Sequence, residues 1–176
     1  QGVSSAASDV YKRQPSDALM IGGNTATILE GKIIQYGKTL DVYNKPENLT
    51  SAKVFSDPPM NIAEISKSGD TCKLTDNNVQ WKSNVKIKDG NYKIGIRPHN
   101  ITTYKEGNNT VEINGKVLIS ELSGSESLIH FTNGNLNWVS LSNGIQQKNI
   151  GENTKLFMNV DEFLYFDENN RLVNHG

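Results

Sequence analysis

Phosphate chemistry is the first possibility that the residue types raise. Gly37-Lys38-Thr39 has the ending of a phosphate-binding loop, in which backbone amides and a lysine cradle the phosphates while a hydroxyl binds Mg²⁺. That loop also needs a glycine five positions earlier, where this chain carries Lys32. Gly31-Lys32-Ile33 fails too, lacking both the hydroxyl and the upstream glycine. Metal chemistry would need convergent ligands, yet His99, His130 and His175 are scattered, with no i, i+4 partner and no adjacent cysteine. Asp161-Glu162 and Asp167-Glu168 are carboxylate pairs of the kind used in acid–base catalysis. Adjacent residues of an extended chain point to opposite faces, so these pairs read as solvated turns. The expectation is a chain with no catalytic, cofactor-binding or metal-binding residue of its own.

Composition narrows the class. With 176 residues the chain has room for one domain, or one plus a remnant, and 18 basic against 19 acidic residues give a formal net charge of -1. That balance provides no field for nucleic acid or an anionic membrane. Cys72 is the single cysteine, which excludes an internal disulfide and a thiolate zinc cluster and fits a reducing cytosol. Asn48, Asn100 and Asn108 each begin an N-x-[ST] tripeptide, a permissive pattern that an asparagine-rich chain generates by chance. No apolar run has the roughly 20 residues that span a bilayer, so no direct membrane insertion is expected. Gln1 to Gln14 has neither a signal peptide's apolar centre nor a helical stripe, and it resembles translated sequencing adaptor. Residues 1–14 are therefore set aside as a non-native tail, with the true protein expected to continue upstream of Pro15.

The elements that would position any site read as follows. Asn24 to Leu29 and Lys32 to Tyr36 flank Glu30-Gly31, a hairpin signal in which Gly31 supplies the positive φ of a tight turn. Thr39 is expected to cap a short helical turn that Pro46 stops, and Leu49, Ala52 and Phe55 mark a second short helix. Asp57-Pro58-Pro59 ends helical structure and sets the domain boundary, because proline fixes φ, lacks an N–H and forces its predecessor into extended geometry. Beyond Met60 come many short strands. Val85 to Lys88 alternates, as does Val111 to Asn114, running on toward Val117 and Ile119. Asp-Gly and Asn-Gly turns punctuate them, which predicts a small, partly closed barrel of OB type. Trp81, Tyr92, Phe131 and Trp138 lie among these strands and are assigned to packing, since stacking on single-stranded nucleic acid also needs a basic groove. Pro98 ends the strand through Gly95-Ile96, and Arg97, with a planar fork suited to a carboxylate, is expected to pair with Glu121 or another acidic residue at the barrel's mouth.

Several of these stretches, in this order, resemble the C-terminal part of the ATP-binding subunits of maltose-type carbohydrate and polyol ABC importers. Asp17-Ala18-Leu19 and Glu30-Gly31-Lys32-Ile33-Ile34-Gln35-Tyr36-Gly37 resemble the end of the nucleotide-binding domain, E-A-L followed by G-[RK]-I-x-Q-x-G. Tyr43 to Pro46 resembles its Y-x-x-P stop. Ser56-Asp57-Pro58-Pro59-Met60-Asn61 resembles the G-S-P-P-M-N entry to the transport-associated OB (TOBE) domain. Gly95-Ile96-Arg97-Pro98-His99 resembles G-I-R-P-E, Glu121 to Glu126 with Gly124 resembles E-x-x-G-x-E, and Phe166-Asp167 resembles the terminal F-D.

The resemblance implies a mainly β chain: an α/β remnant of the ATPase domain over 15–57, then a regulatory TOBE/OB barrel over 58–176. It implies ATP and Mg²⁺ in the full-length parent but not here. Its implied partners are a second ATPase subunit, as homo- or heterodimer, and membrane permeases reached through the missing portion. The implied location is peripheral, on the cytoplasmic face of the inner membrane of a bacterium. The family's switch histidine aligns with Arg13, inside the set-aside tail. Gly22 to Ala26 and Val54 to Pro59 look more like the polyol or glycerol branch than the maltose branch. The alternative is a stand-alone OB module binding an oxyanion such as molybdate. Such modules carry a Ser-Ala-Arg-Asn-like stretch, whose nearest echo here is Thr50-Ser51-Ala52-Lys53.

Overall fold

The computed structural model describes residues 14–175. The adaptor-like stretch through Arg13, and with it the switch position, lies outside them. The chain divides into two compact units, one ending at Asp57 and one running from Pro58.

In the first unit, α1 (Pro15–Ile21) begins with proline at its first position, where the missing N–H costs nothing, and ends at Gly22. Strands β1 (Asn24–Leu29) and β2 (Lys32–Lys38) form an antiparallel hairpin. Its turn puts Glu30 at φ 50° and Gly31 at φ 75°, the left-handed pair of a tight turn whose twist matches the strands. Two short helices follow, α2 (Thr39–Asn44) and α3 (Leu49–Val54). Thr39 does not cap α2. Lys38 holds the cap position without a side-chain bond, and the Thr39 hydroxyl instead meets Thr25 Oγ1 at 2.8 Å and lies 3.2 Å from the Gly23 carbonyl. The capping residue belongs to α3: Asn48 Oδ1 accepts from Ser51 N–H at 2.9 Å. The asparagine of the first N-x-[ST] tripeptide is thus a helix cap. Tyr43 and Phe55 pack edge to face at 5.8 Å beside buried Val42, Leu49 and Ala52.

The second unit is all β apart from two single 3₁₀ turns, Pro98–Asn100 and Val160–Glu162. Its strands are β3 (Asn61–Ser68), β4 (Thr71–Leu74), β5 (Gln80–Lys82), β6 (Gly90–Ile96), β7 (Ile101–Thr102), β8 (Thr110–Leu122), β9 (Glu126–Asn133), β10 (Leu136–Asn143), β11 (Asn153–Asn159), β12 (Leu164–Phe166) and β13 (Leu172–His175). One sheet has the order β13-β12-β6-β3-β4-β5, and every pairing in it is antiparallel. The other has the order β10-β9-β8-β11-β7, and β7 packs beside β10 at the opposite end of that order. This five-stranded sheet is therefore nearly closed, and the chain is mainly β with an OB-type barrel. Burial alternates along β3, β9, β10 and β11, as one wet face and one packed face require. In β8 the alternation holds through Val117 and breaks at a bulge before Ile119, so Leu118 and Ile119 are both exposed.

Val85 to Lys88 is not a strand. The residues from Ser83 to Lys88 run outside any ladder, yet Val85 and Ile87 pack against the core while Lys86 and Lys88 are exposed. The alternation read from the sequence is real, but it reports an extended segment lying on the core with its backbone unpaired. That core draws Ile65, Leu74, Trp81 and Ile94 from one sheet and Ile113, Phe131, Trp138 and Leu156 from the other.

Candidate functional site

Residues singled out from separate motifs meet in the second unit. Gly95, in β6, faces Ile62 on β3 and Leu164 on β12. A Cβ added to it would lie 2.5 Å from Met60 Sδ and 3.2 Å from Phe166 Cε2. The absence of a side chain at Gly95 thus lets Met60, 7% exposed, and Phe166, fully buried, close over the strand. Asn61 follows directly. Its Nδ2 donates to Val139 O and its Oδ1 accepts from Val139 N–H, both at 2.7 Å, so one amide side chain copies a strand residue's paired bonds onto β10. Trp138 Nε1 donates to Ile62 O at 3.1 Å beside it. Of the residues before them, Asp57 and Pro59 are exposed and Pro58 is half-buried.

Arg97 is buried at 6% exposure where β6 ends, and Pro98 opens the 3₁₀ turn that Asn100 N–H closes onto Arg97 O at 3.0 Å. The Glu121 carboxylate, largely exposed near the end of β8, faces His130 Nε2 at 3.9 Å. Glu121 pairs with Leu128 and His130 with Ile119, so the two side chains lie diagonally on one face of the β8–β9 hairpin. Gly124 lies in that hairpin's turn at φ 78°, where Ser123 N–H donates to Glu126 O at 2.9 Å. His99, next to Arg97, titrates below its ordinary 6.5. Desolvation of its ring is the main cause, repulsion from Arg97 adds to it, and Glu162 opposes.

Asp167 shapes the β12–β13 turn. Its Oδ1 accepts from Asn169 N–H at 2.9 Å and Arg171 N–H at 2.8 Å. It also lines a groove of about 310 Å³ with Glu64, Tyr92, Lys93 and Glu168. Lys93 Nζ is bonded there to Asn170 Oδ1 at 2.9 Å. Among the described residues no group of three or more His, Cys, Asp or Glu side chains converges as metal ligands.

In the first unit Gln35 is the hub. It is 8% exposed; its Nε2 donates to Lys45 O at 3.2 Å, and its Oε1 accepts from Glu47 N–H at 3.0 Å and from Ser51 Oγ at 2.6 Å. Thr27 Oγ1 extends the network to Ser51 Oγ at 3.2 Å. Gly31 sits at the hairpin tip, and a Cβ added to Gly37, within β2, would be in ordinary contact range of Val42.

The motif residues therefore serve the architecture: they turn the chain, clear space for a neighbour or tie backbone across elements. The sequence reading leaves the roles of two residues open. Gln35 stands there only as a motif position, and its amide network is not visible. Gly115 stands only as a position within the run from Val111 toward Val117, and it lies inside β8 under the ring of Phe131.

No protein-family model matches the chain. It is similar to the xylose/arabinose import ATP-binding protein XacK of Haloferax volcanii, 25% identical over 159 residues, which is 86% of this chain and 42% of that protein. The multiple sugar-binding transport ATP-binding protein MsmK of Streptococcus mutans is 26% identical over 148 residues, 78% of this chain and 39% of its own length. The sn-glycerol-3-phosphate import ATP-binding protein UgpC of Brucella abortus is 27% identical over 119 residues, 65% of this chain and 31% of its own. The chain thus spans about two fifths or less of these curated relatives. Its homologues are the ATP-binding subunits of ABC importers for sugars and for glycerol phosphate.

Proposed function

We propose that the chain is the C-terminal part of the ATP-binding subunit of an ABC importer for carbohydrates or polyols, with glycerol or glycerol phosphate among the candidate solutes. The observation that carries this reading is the extent of the match. The similarity to XacK covers 86% of the chain, more than the second unit from Pro58 contains, so it reaches into both units. In this reading residues 15–57 close the ATPase domain and residues 58–176 form the TOBE regulatory domain. ATP and Mg²⁺ bind the parent upstream of this chain. The parent pairs with a second ATPase subunit and sits peripherally beneath membrane permeases, and the TOBE domain adds regulatory and dimerisation contacts. No helix of the described residues is long and apolar enough to cross a membrane, which is compatible with that placement.

The test is the genomic DNA upstream of the Ser16 codon. The expected result is an open frame running back through a glycine-rich phosphate loop and the acidic residue that holds Mg²⁺. A start codon immediately before Pro15 would overturn the reading.

A further inference from the structure

The extended segment from Ser83 to Lys88 has no structural purpose in the ladder it continues. β5 ends at Lys82, paired with Thr71, and Ser83 N–H makes the last backbone bond, to Asp70 O at 2.8 Å. Among the described residues, 84–88 make no backbone–backbone hydrogen bond. Val85 N–H is met by Ser83 Oγ at 3.3 Å and Lys88 O by Tyr92 OH at 3.0 Å, and among the described residues no protein group bonds the backbone of Asn84, Lys86 or Ile87. Val85 and Ile87 nevertheless pack on the core and anchor the segment at alternate positions. It flanks a groove of about 290 Å³ that Asp161 and Asn174 also line. Asn174 belongs to β13, the opposite edge of the same sheet order. An extended, anchored and unpaired backbone beside a groove is what strand addition uses: main-chain bonds give affinity and alternate side chains give selectivity.

We propose that Ser83 to Lys88 is a receptor edge for an extended acidic segment of a partner protein, which adds to the sheet as its next strand. The charge pattern selects the occupant. Lys82, Lys86 and Lys88 are all exposed at every-second-residue positions of one run, so an added strand meets cations on its outer face. Asp161, the groove's carboxylate, already accepts from Asn109 Nδ2 at 2.6 Å. A matching segment carries glutamate or aspartate at alternate positions with small or β-branched residues between. The inference rests on the second unit alone and stands apart from the importer reading.

The experiment uses the whole chain and two capped ten-residue peptides. One alternates glutamate with threonine and valine; the other has lysine in place of glutamate. The glutamate peptide is expected to slow amide exchange at Asn84 and Lys86, whose N–H groups share the free edge, by about tenfold or more at saturation, while the lysine peptide leaves it unchanged. Lys86→Pro removes an N–H that bonds nothing in the free chain, at a position already extended. It is expected to abolish peptide binding while leaving thermal unfolding nearly unchanged. Lys86→Glu with Lys88→Glu, which needs no backbone adjustment, is expected to reverse the peptide preference. Lysines on an exposed edge also deter unwanted pairing. If that were their whole role, neither peptide would alter exchange at saturating concentration, and the proposal would fall. Equal binding by the Lys86→Pro chain would overturn it as well.

Discussion

Gly95 and Gly115 both clear space for a buried neighbour, but the neighbours differ in how far they can yield. At Gly95 the closest atom to an added Cβ is Met60 Sδ at 2.5 Å, the end of an unbranched side chain with several rotatable bonds. At Gly115 it is the Phe131 ring, Cδ2 at 2.5 Å and Cγ at 2.9 Å, with Leu156 behind at 3.1 Å. Phe131 is fully buried and makes an edge-to-face contact with Trp138 at 6.4 Å, so its ring has nowhere to go. Gly115→Ala is therefore expected to destabilise more than Gly95→Ala, the first toward about 3 kcal/mol and the second nearer 1 kcal/mol, the span usual for overpacking. Urea unfolding of the two variants gives the ranking. The reverse order would mean that Met60, not Phe131, is the immovable neighbour. At this scale the sequence conveyed which residue types matter, but not the approach of Glu121 to His130 across the β8–β9 hairpin. A partner choice of that kind depends on register across strands, which no local pattern contains.

At the scale of elements, two amide side chains act in place of backbone. Gln35 joins β2 to both ends of the loop between α2 and α3 and to α3 itself. Gln35→Leu keeps the volume but strips Glu47 N–H and Ser51 Oγ of their acceptor, at an expected cost of about 2 kcal/mol or more. The Glu47 amide is expected to exchange faster in that variant, and unchanged exchange there would show that the network is dispensable. Asn61 does the same work between β3 and β10. Asn61→Asp keeps the acceptor for Val139 N–H yet sets a carboxylate against Val139 O, in a site 4% exposed. Asn61→Asp is thus expected to be more damaging at pH 7 than Asn61→Ala, with the gap narrowing as acid protonates the carboxylate. Thermal unfolding of both variants across pH checks the sign. The hairpin at Glu30-Gly31, the stop at Pro46 and the period-two strands were legible because each follows from local stereochemistry or burial alternation. The segment from Ser83 to Lys88 shows the limit of that signal. Alternation reports which side chains pack, and it says nothing about whether a neighbouring strand exists to pair with.

For the second unit as a whole, one core shared by both sheets makes buried ionisable groups report on global unfolding. Cys72 is fully buried, and burial pushes its thiol above the ordinary 9.0 despite a hydrogen bond with Ser83 and the nearby Lys67 charge. Tyr165 is also fully buried, its hydroxyl 3.2 Å from Ser83 Oγ, and burial raises it above 10.0 in the same way. Both groups hold their protons in the fold more firmly than in the unfolded chain. The stability they contribute is complete below about pH 9, where neither state is ionised, and is lost as pH rises through the raised folded values, because the unfolded chain ionises first. The urea midpoint is therefore expected to decline from about pH 9 upward, beginning with the thiol and steepening once the unfolded tyrosine titrates. Cys72→Ala removes the first part of that slope at the cost of a small cavity that lowers the curve at every pH. Tyr165→Phe removes the later part. A thiol reagent at pH 8 is expected to modify Cys72 only after denaturant is added. If the Cys72→Ala chain keeps the parent's full slope between pH 9 and 10, the alkaline loss belongs to surface lysines, and the buried thiol does not govern it.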